Sequence, residues 1–251
     1  MEVYHKHHHD PSGKEKYWKH YLFEFLMLFL AVTAGFFVEN LREHSSEQRR
    51  EKQYIRSLAE DLKNDTLQLN TYIRFNEAVM SYCDSLQLVI INQDVFKNSN
   101  AFYNHCQELA RYFRYYPSDR TMEQLKNAGN MRLIRKWSVS NAIAEYDRQT
   151  RFMSEMDAQL RDENLKYRNY LIEFLDGSSY DQLNGPGSFM NNNRTTGNPG
   201  FIVNDGRKLK IFYNEAFTLK ILLSSNNRYA TRLIQQIKDL LVLFQKEYSI
   251  T

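Results

Sequence analysis

Four histidines stand almost side by side at the start of the chain: His5, His7, His8 and His9. Neutral imidazoles spaced this way in a flexible peptide can wrap a Zn, Ni or Cu ion, because these metals accept nitrogen donors. Nothing preorganises the donors, so the plainer alternative is a solvated, weakly basic tail beside anionic headgroups. A second chemical pair is Cys83 with Cys106. With a turn centred near Val95–Phe96, the two fall at comparable heights on adjacent antiparallel helices. They are there either a disulfide or two buried free thiols. The third feature is Glu24, one carboxylate inside an apolar run. Such a group marks a functional site by default, unless it lies close enough to the end of the run to reach the interface, as one helical turn allows here.

Other reactive patterns are absent from the sequence. It holds no P-loop, no Gly-rich dinucleotide turn, no HExxH, no CxxC and no GxSxG. His44 and His105 are the only histidines beyond residue 20, and neither has an acidic or cysteine partner at metal spacing. Asp61 with Asp65, and Glu155 with Asp157, read as solvated helix faces. The expectation is a protein that is not an enzyme and carries no cofactor. Lys+Arg 33 against Asp+Glu 30 leaves a net charge of +3, which gives no reason to expect nucleic acid as a partner. Seventeen Tyr and sixteen Phe argue against global disorder, and two Cys exclude a disulfide scaffold.

The elements that must position these groups begin with Tyr21 to Val38, YLFEFLMLFLAVTAGFFV. As a helix this run rises about 27 Å, close to the hydrocarbon thickness of a bilayer. Trp18 at its N-terminal edge, Glu24 one turn inside and Gly35 near its end are its membrane-associated positions. The small residues Ala31, Thr33, Ala34 and Gly35 lie inside the run and Phe36-Phe37-Val38 continues past them, a poor match to a cleaved signal. Lys14, Lys16 and Lys19 crowd one side and only Arg42 lies close on the other. The positive-inside tendency then puts residues 1–20, the His/Lys-rich head, in the cytoplasm and residues 39–251 across the membrane.

Beyond the span, Ile55, Leu58, Leu62, Leu69, Tyr72, Val79, Cys83 and Leu86 follow alternating three- and four-residue spacings, with Asp65 and Asn76 at the two remaining seam positions. This predicts a long helix packing on partners. Further helices are expected over 101–116, 121–128, 131–175 and 213–248, with Gly129 ending the second of these in a left-handed cap. Residues 177–206 hold six of the nine Gly and two of the four Pro and read as a long loop, with a short hairpin at 201–203. The fold class is all-α: one N-terminal transmembrane helix continuing into a long, mostly antiparallel helical bundle.

Two stretches carry a resemblance, HYLFEFLMLFLAVTAGFFVENLREH and YYPSDRTMEQLKNAGNMRLIRKW. Together, over roughly residues 1–150, the chain resembles a family of bacterial single-span inner-membrane proteins grouped as a domain of unknown function. The family's early Glu matches Glu24 and its following Asn matches Asn40, although Leu41 stands where Trp is frequent. Thr121, Leu125, Gly129, Leu133 and Ile134 match the second pattern, with Ala128 in place of Ser. The resemblance implies a membrane protein with a helical soluble part and brings no activity. The expected role is a membrane-anchored interaction, scaffold or sensor-like protein in the bacterial inner membrane, its large domain periplasmic. Its expected partners are the lipid bilayer and a second copy or an envelope protein. A ligand- or metal-responsive receptor is the alternative, and an enzyme with a convergent site ranks behind both.

Overall fold

The computed structural model describes residues 12–185, 194–195 and 197–250, with side chains from residue 18 onward. His5, His7, His8 and His9 lie outside the described residues. Between Gly35 and Pro117 the sequence contains neither Gly nor Pro, so nothing interrupts helix propagation until a turn can be stabilised by other means. The result is α1, Ser12–Asn92. It is followed by α2 (Ser99–Leu109), α3 (Arg120–Asn127), a 3-10 turn (Asn130–Leu133), α4 (Trp137–Phe174), α5 (Gly177–Asn184) and α6 (Gly206–Tyr248). The described residues form no strand, and the protein is all-α. It divides into two units, one running through Gln53 and the other starting at Tyr54.

The first unit contains one helix long and apolar enough to cross a membrane. Its 18-residue window of highest mean hydropathy, 2.1, has no buried residue. Helical hydrogen bonds satisfy the backbone, and the Thr33 hydroxyl donates to the Phe29 carbonyl at 2.7 Å, so this polar group also has an internal acceptor. Trp18, Glu24 and Gly35 are all exposed on this helix, and a Cβ added at Gly35 meets nothing within 4 Å. Just past the run, Arg42 donates to both carboxylate oxygens of Glu39, at 2.9 and 2.6 Å. Those hydrogen bonds hold the Glu39 carboxyl below its usual range.

In the second unit α1 runs antiparallel to α2 and the arm that follows it, with Tyr82 on His105 of α2 and Phe75 on Phe113 of the arm. It also packs antiparallel to α6, where Asp84 meets Lys220 and Asn76 Nδ2 donates to Asn227 Oδ1 at 2.8 Å. α4 and α6 are antiparallel as well, with Phe152 on Tyr229 and Tyr167 on Phe212. The seam residues from Ile55 to Leu86 are all buried, and so are Asp65 and Asn76, the two polar members of the stripe. Near the α1–α2 turn, Phe96, Phe102, Phe174, Phe201 and Phe212 form a cluster with centroids 4.8–6.5 Å apart, mostly edge to face.

Three boundaries differ from the sequence reading, each for a local reason. α2 stops at Leu109, and residues 110–119 are irregular because side chains of α1 and α4 capture their backbone groups, as described below. The stretch 131–175 is split: a 3-10 turn and an extended link precede α4. Residues 177–206 are not all loop. Asp176 accepts from Ser178 N and Ser179 N at 3.0 and 3.1 Å, and this cap starts α5 despite the Gly at its first position. In place of a hairpin at 201–203 there is one antiparallel bridge, Leu175 to Phe201, with Ile202 N donating to Phe174 O at 3.0 Å.

Gly129 takes φ 62°, the left-handed cap expected of it. A Cβ there meets nothing within 4 Å, so Gly129→Ala carries only the backbone penalty. The expected loss is about 1 kcal/mol, read as a lower urea midpoint with an unchanged slope.

Candidate functional site

The densest chemistry among the described residues is a buried layer of carboxylates and tyrosines between α1, α4 and the irregular 110–119 arm. Beyond its first residues the arm has no regular helical ladder and must place its amides and carbonyls elsewhere. Asn164 Nδ2 donates to the Leu109 carbonyl at 3.0 Å, and Arg168 donates twice to the Ala110 carbonyl, at 3.0 and 2.6 Å. At the other end, Asp65 Oδ1 accepts from Ser118 N at 2.7 Å and Asp61 Oδ2 from Thr121 N at 3.2 Å. Arg120 stands 3.7 Å from the other Asp61 oxygen. Two side chains on α1, Asp61 and Asp65, and two on α4, Asn164 and Arg168, therefore hold the arm and the start of α3.

Asp65, and Asp157 on α4, each also meet a tyrosine. Tyr146 donates to Asp65 Oδ2, and Tyr112 donates to Asp157 Oδ2 at 2.5 Å. Burial raises the Asp65 carboxyl above its ordinary value against the pull of the Tyr146 and Ser118 hydrogen bonds, with Asp61 adding to the rise. Asp157 is raised by burial too, against hydrogen bonds from Tyr112 and Tyr72. Tyr115 and Tyr146 are both pushed up, first by burial and then by the negative charge of Asp65. Asn226 Nδ2 donates to the Tyr72 hydroxyl at 2.9 Å and to the Met156 carbonyl at 3.3 Å, extending the layer to α6. These groups lock an irregular segment. Asp61, Asp65 and Asp157 are thus interior residues, which corrects their reading as solvated faces.

The sequence-predicted positions are not brought together. Trp18, Glu24 and Gly35 belong to the first unit. Cys83 and Cys106 are buried and free, with burial pushing each thiol up to about 12. Tyr167 donates to the Cys106 carbonyl at 3.4 Å. Neither thiol is expected to react with maleimide in the folded chain at neutral pH, where thiolate is scarce and access closed, while both should label within minutes once denatured. A mass spectrum of the labelled chain distinguishes these outcomes, and a chain that stays unlabelled in denaturant without reductant would instead be cross-linked.

No group of three or more His, Cys, Asp or Glu among the described residues is arranged to hold a metal ion. Two clefts open on the second unit. One, about 240 Å³, is lined by Gln149, Met153, Tyr229, Arg232, Leu233 and Gln236. The other, about 460 Å³, lies among Ile90, Ile91, Leu209, Lys210 and Tyr213. Neither includes the buried carboxylates. No family model, curated protein or solved structure matches the chain.

Proposed function

We propose that the chain is a single-pass membrane protein whose helical unit, Tyr54 onward, acts as an interaction or scaffold domain outside the bilayer. One observation carries this reading: the apolar window of α1 buries none of its residues, while apolar residues of the same types fill a core in the second unit. Eighteen lipophilic residues left uncovered in water would be strongly unfavourable, at roughly 25 cal/mol per Å² of apolar surface. A bilayer removes that penalty. Lys14, Lys16 and Lys19 before the span support a cytoplasmic N-terminus and a periplasmic helical unit in a bacterial inner membrane. Work at this location is by binding, to a second copy or an envelope protein.

Alkaline extraction of membranes tests the anchor. The full chain is expected to stay in the pellet, and Leu28→Arg with Val32→Arg should release it, since each Arg near a span centre costs about 3 kcal/mol. A wild-type chain recovered in the soluble fraction would overturn the reading. Crosslinking in membranes tests the interaction role, which predicts a discrete adduct; a chain that remains strictly monomeric and captures nothing counts against it.

A further inference from the structure

The end of the helical unit at which the chain enters it carries an aromatic and cationic edge. Tyr54, the unit's first residue, accepts a hydrogen bond from Asn130 Nδ2 at 2.8 Å, which fixes the 3-10 turn at this end. The chain then reads Arg132-Leu133-Ile134-Arg135-Lys136-Trp137. Leu133 and Ile134 are buried, while both arginines, Lys136 and Trp137 face outward. Trp137 is 76% exposed, the most exposed large apolar side chain among the described residues. The end of α6 meets the same edge: Lys136 Nζ lies 2.9 Å from Glu247 Oε2 and 4.7 Å from the centre of the Tyr248 ring, with Lys246 exposed beside them.

An indole ring this exposed is unfavourable in water, yet its N–H makes it a poor core residue without an acceptor. The environment that suits both parts is the bilayer interface, where rings sit at headgroup level and basic neighbours meet phosphate. The tether is short: fifteen residues, 39–53, join the span to Tyr54, so the helical unit is held at a high effective concentration beside any bilayer holding the span.

The geometry points to a second lipid contact: the Arg132–Trp137 edge binds the anionic phospholipid surface of the bilayer in which the span is inserted. This rests on the anchor reading, and the chain's two tryptophans allow the two to be tested apart. Trp18→Phe leaves Trp137 as the sole reporter, and Trp137→Phe leaves Trp18. Each full-length variant is reconstituted into phosphatidylcholine vesicles, with or without phosphatidylglycerol, whose acyl chains are brominated near the headgroups.

Trp18 is expected to be quenched in both lipids. Trp137 is expected to be quenched only with phosphatidylglycerol, less so at high salt, and with a bound-to-free ratio about fivefold lower after Arg132→Gln, the weight of one basic residue at an anionic surface. Quenched Trp18 with Trp137 unquenched and solvent-like in both lipids overturns the inference and leaves the anchor standing. A blue-shifted but unquenched Trp137 also overturns it, because protein then covers the ring. Unquenched Trp18 removes the anchor and this contact together. Equal helical circular dichroism of the variants confirms that each is folded.

Discussion

Asp65→Ala should lower the unfolding free energy of the helical unit by about 3 kcal/mol, whereas Asp65→Asn should change it by no more than about 1 kcal/mol. Alanine leaves the Ser118 amide and the Tyr146 hydroxyl without their acceptor in a fully buried position. Asparagine keeps an oxygen for Ser118, and its amide can donate to the tyrosine oxygen. For a unit of this size the alanine loss corresponds to a fall of about 6–12 °C in Tm, read by far-UV circular dichroism of the purified full chain. Comparable melts for both variants would show that the aspartate does not hold the arm.

The same pair has a pH signature. Burial raises the folded-state value of Asp65, so the protonated acid is the form the fold prefers. Its contribution to stability is fully present below the unfolded value and is lost as pH rises through the folded one. Asp157 is shifted in the same direction. Glu145, held down to about 2 mainly by Arg148, acts oppositely, and its contribution is lost only in strong acid. The stability difference between wild type and Asp65→Asn should therefore favour wild type more as pH falls from neutral towards 4. A difference independent of pH would mean that the carboxylate does not titrate in the folded chain.

How much of this was legible beforehand depends on whether the signal was periodic. The α1 seam, the left-handed turn at Gly129 and the all-α class followed from spacing. Asp65 and Asn76 were placed at seam positions, yet the carboxylate pair at 61 and 65 read as a wet face and is buried. On α4 an equivalent cue was available: Met153, Asp157, Leu160 and Asn164 fall at helical spacing and all are buried. What spacing could not supply was the partner. The 110–119 arm has helix-compatible residues up to Pro117, and its irregular course depends on Asn164 and Arg168, more than 50 positions later. Tertiary capture overrode propensity there. α5 was missed because glycine count outweighed Asp176, whose cap over Ser178 and Ser179 was readable as an N-terminal signal.

Phe174→Ala should be the most damaging core substitution at the opposite end of the unit, with a loss of about 4 kcal/mol. The ring is fully buried and lies 4.8 Å from Phe201, 5.1 Å from Phe212 and 5.8 Å from Phe102, so its removal opens a cavity shared by α2, α4, α6 and the segment before α6. Phe201→Ala should behave differently. Phe201 belongs to a segment held mainly by side chains of α2: Ser99 donates to the Pro199 carbonyl at 2.6 Å and Tyr103 to the Gly200 carbonyl at 2.5 Å. Loss of its ring frees that segment before it unfolds the helices, because local openings follow the weakest cooperative unit. Amide exchange at 197–203 should accelerate in Phe201→Ala while the α1, α4 and α6 amides keep their protection. In Phe174→Ala all of them should lose protection together. If both variants accelerated exchange only at 197–203, the phenylalanine cluster would be a local clasp and the bundle would depend on the α1 seam and the acid–tyrosine layer instead.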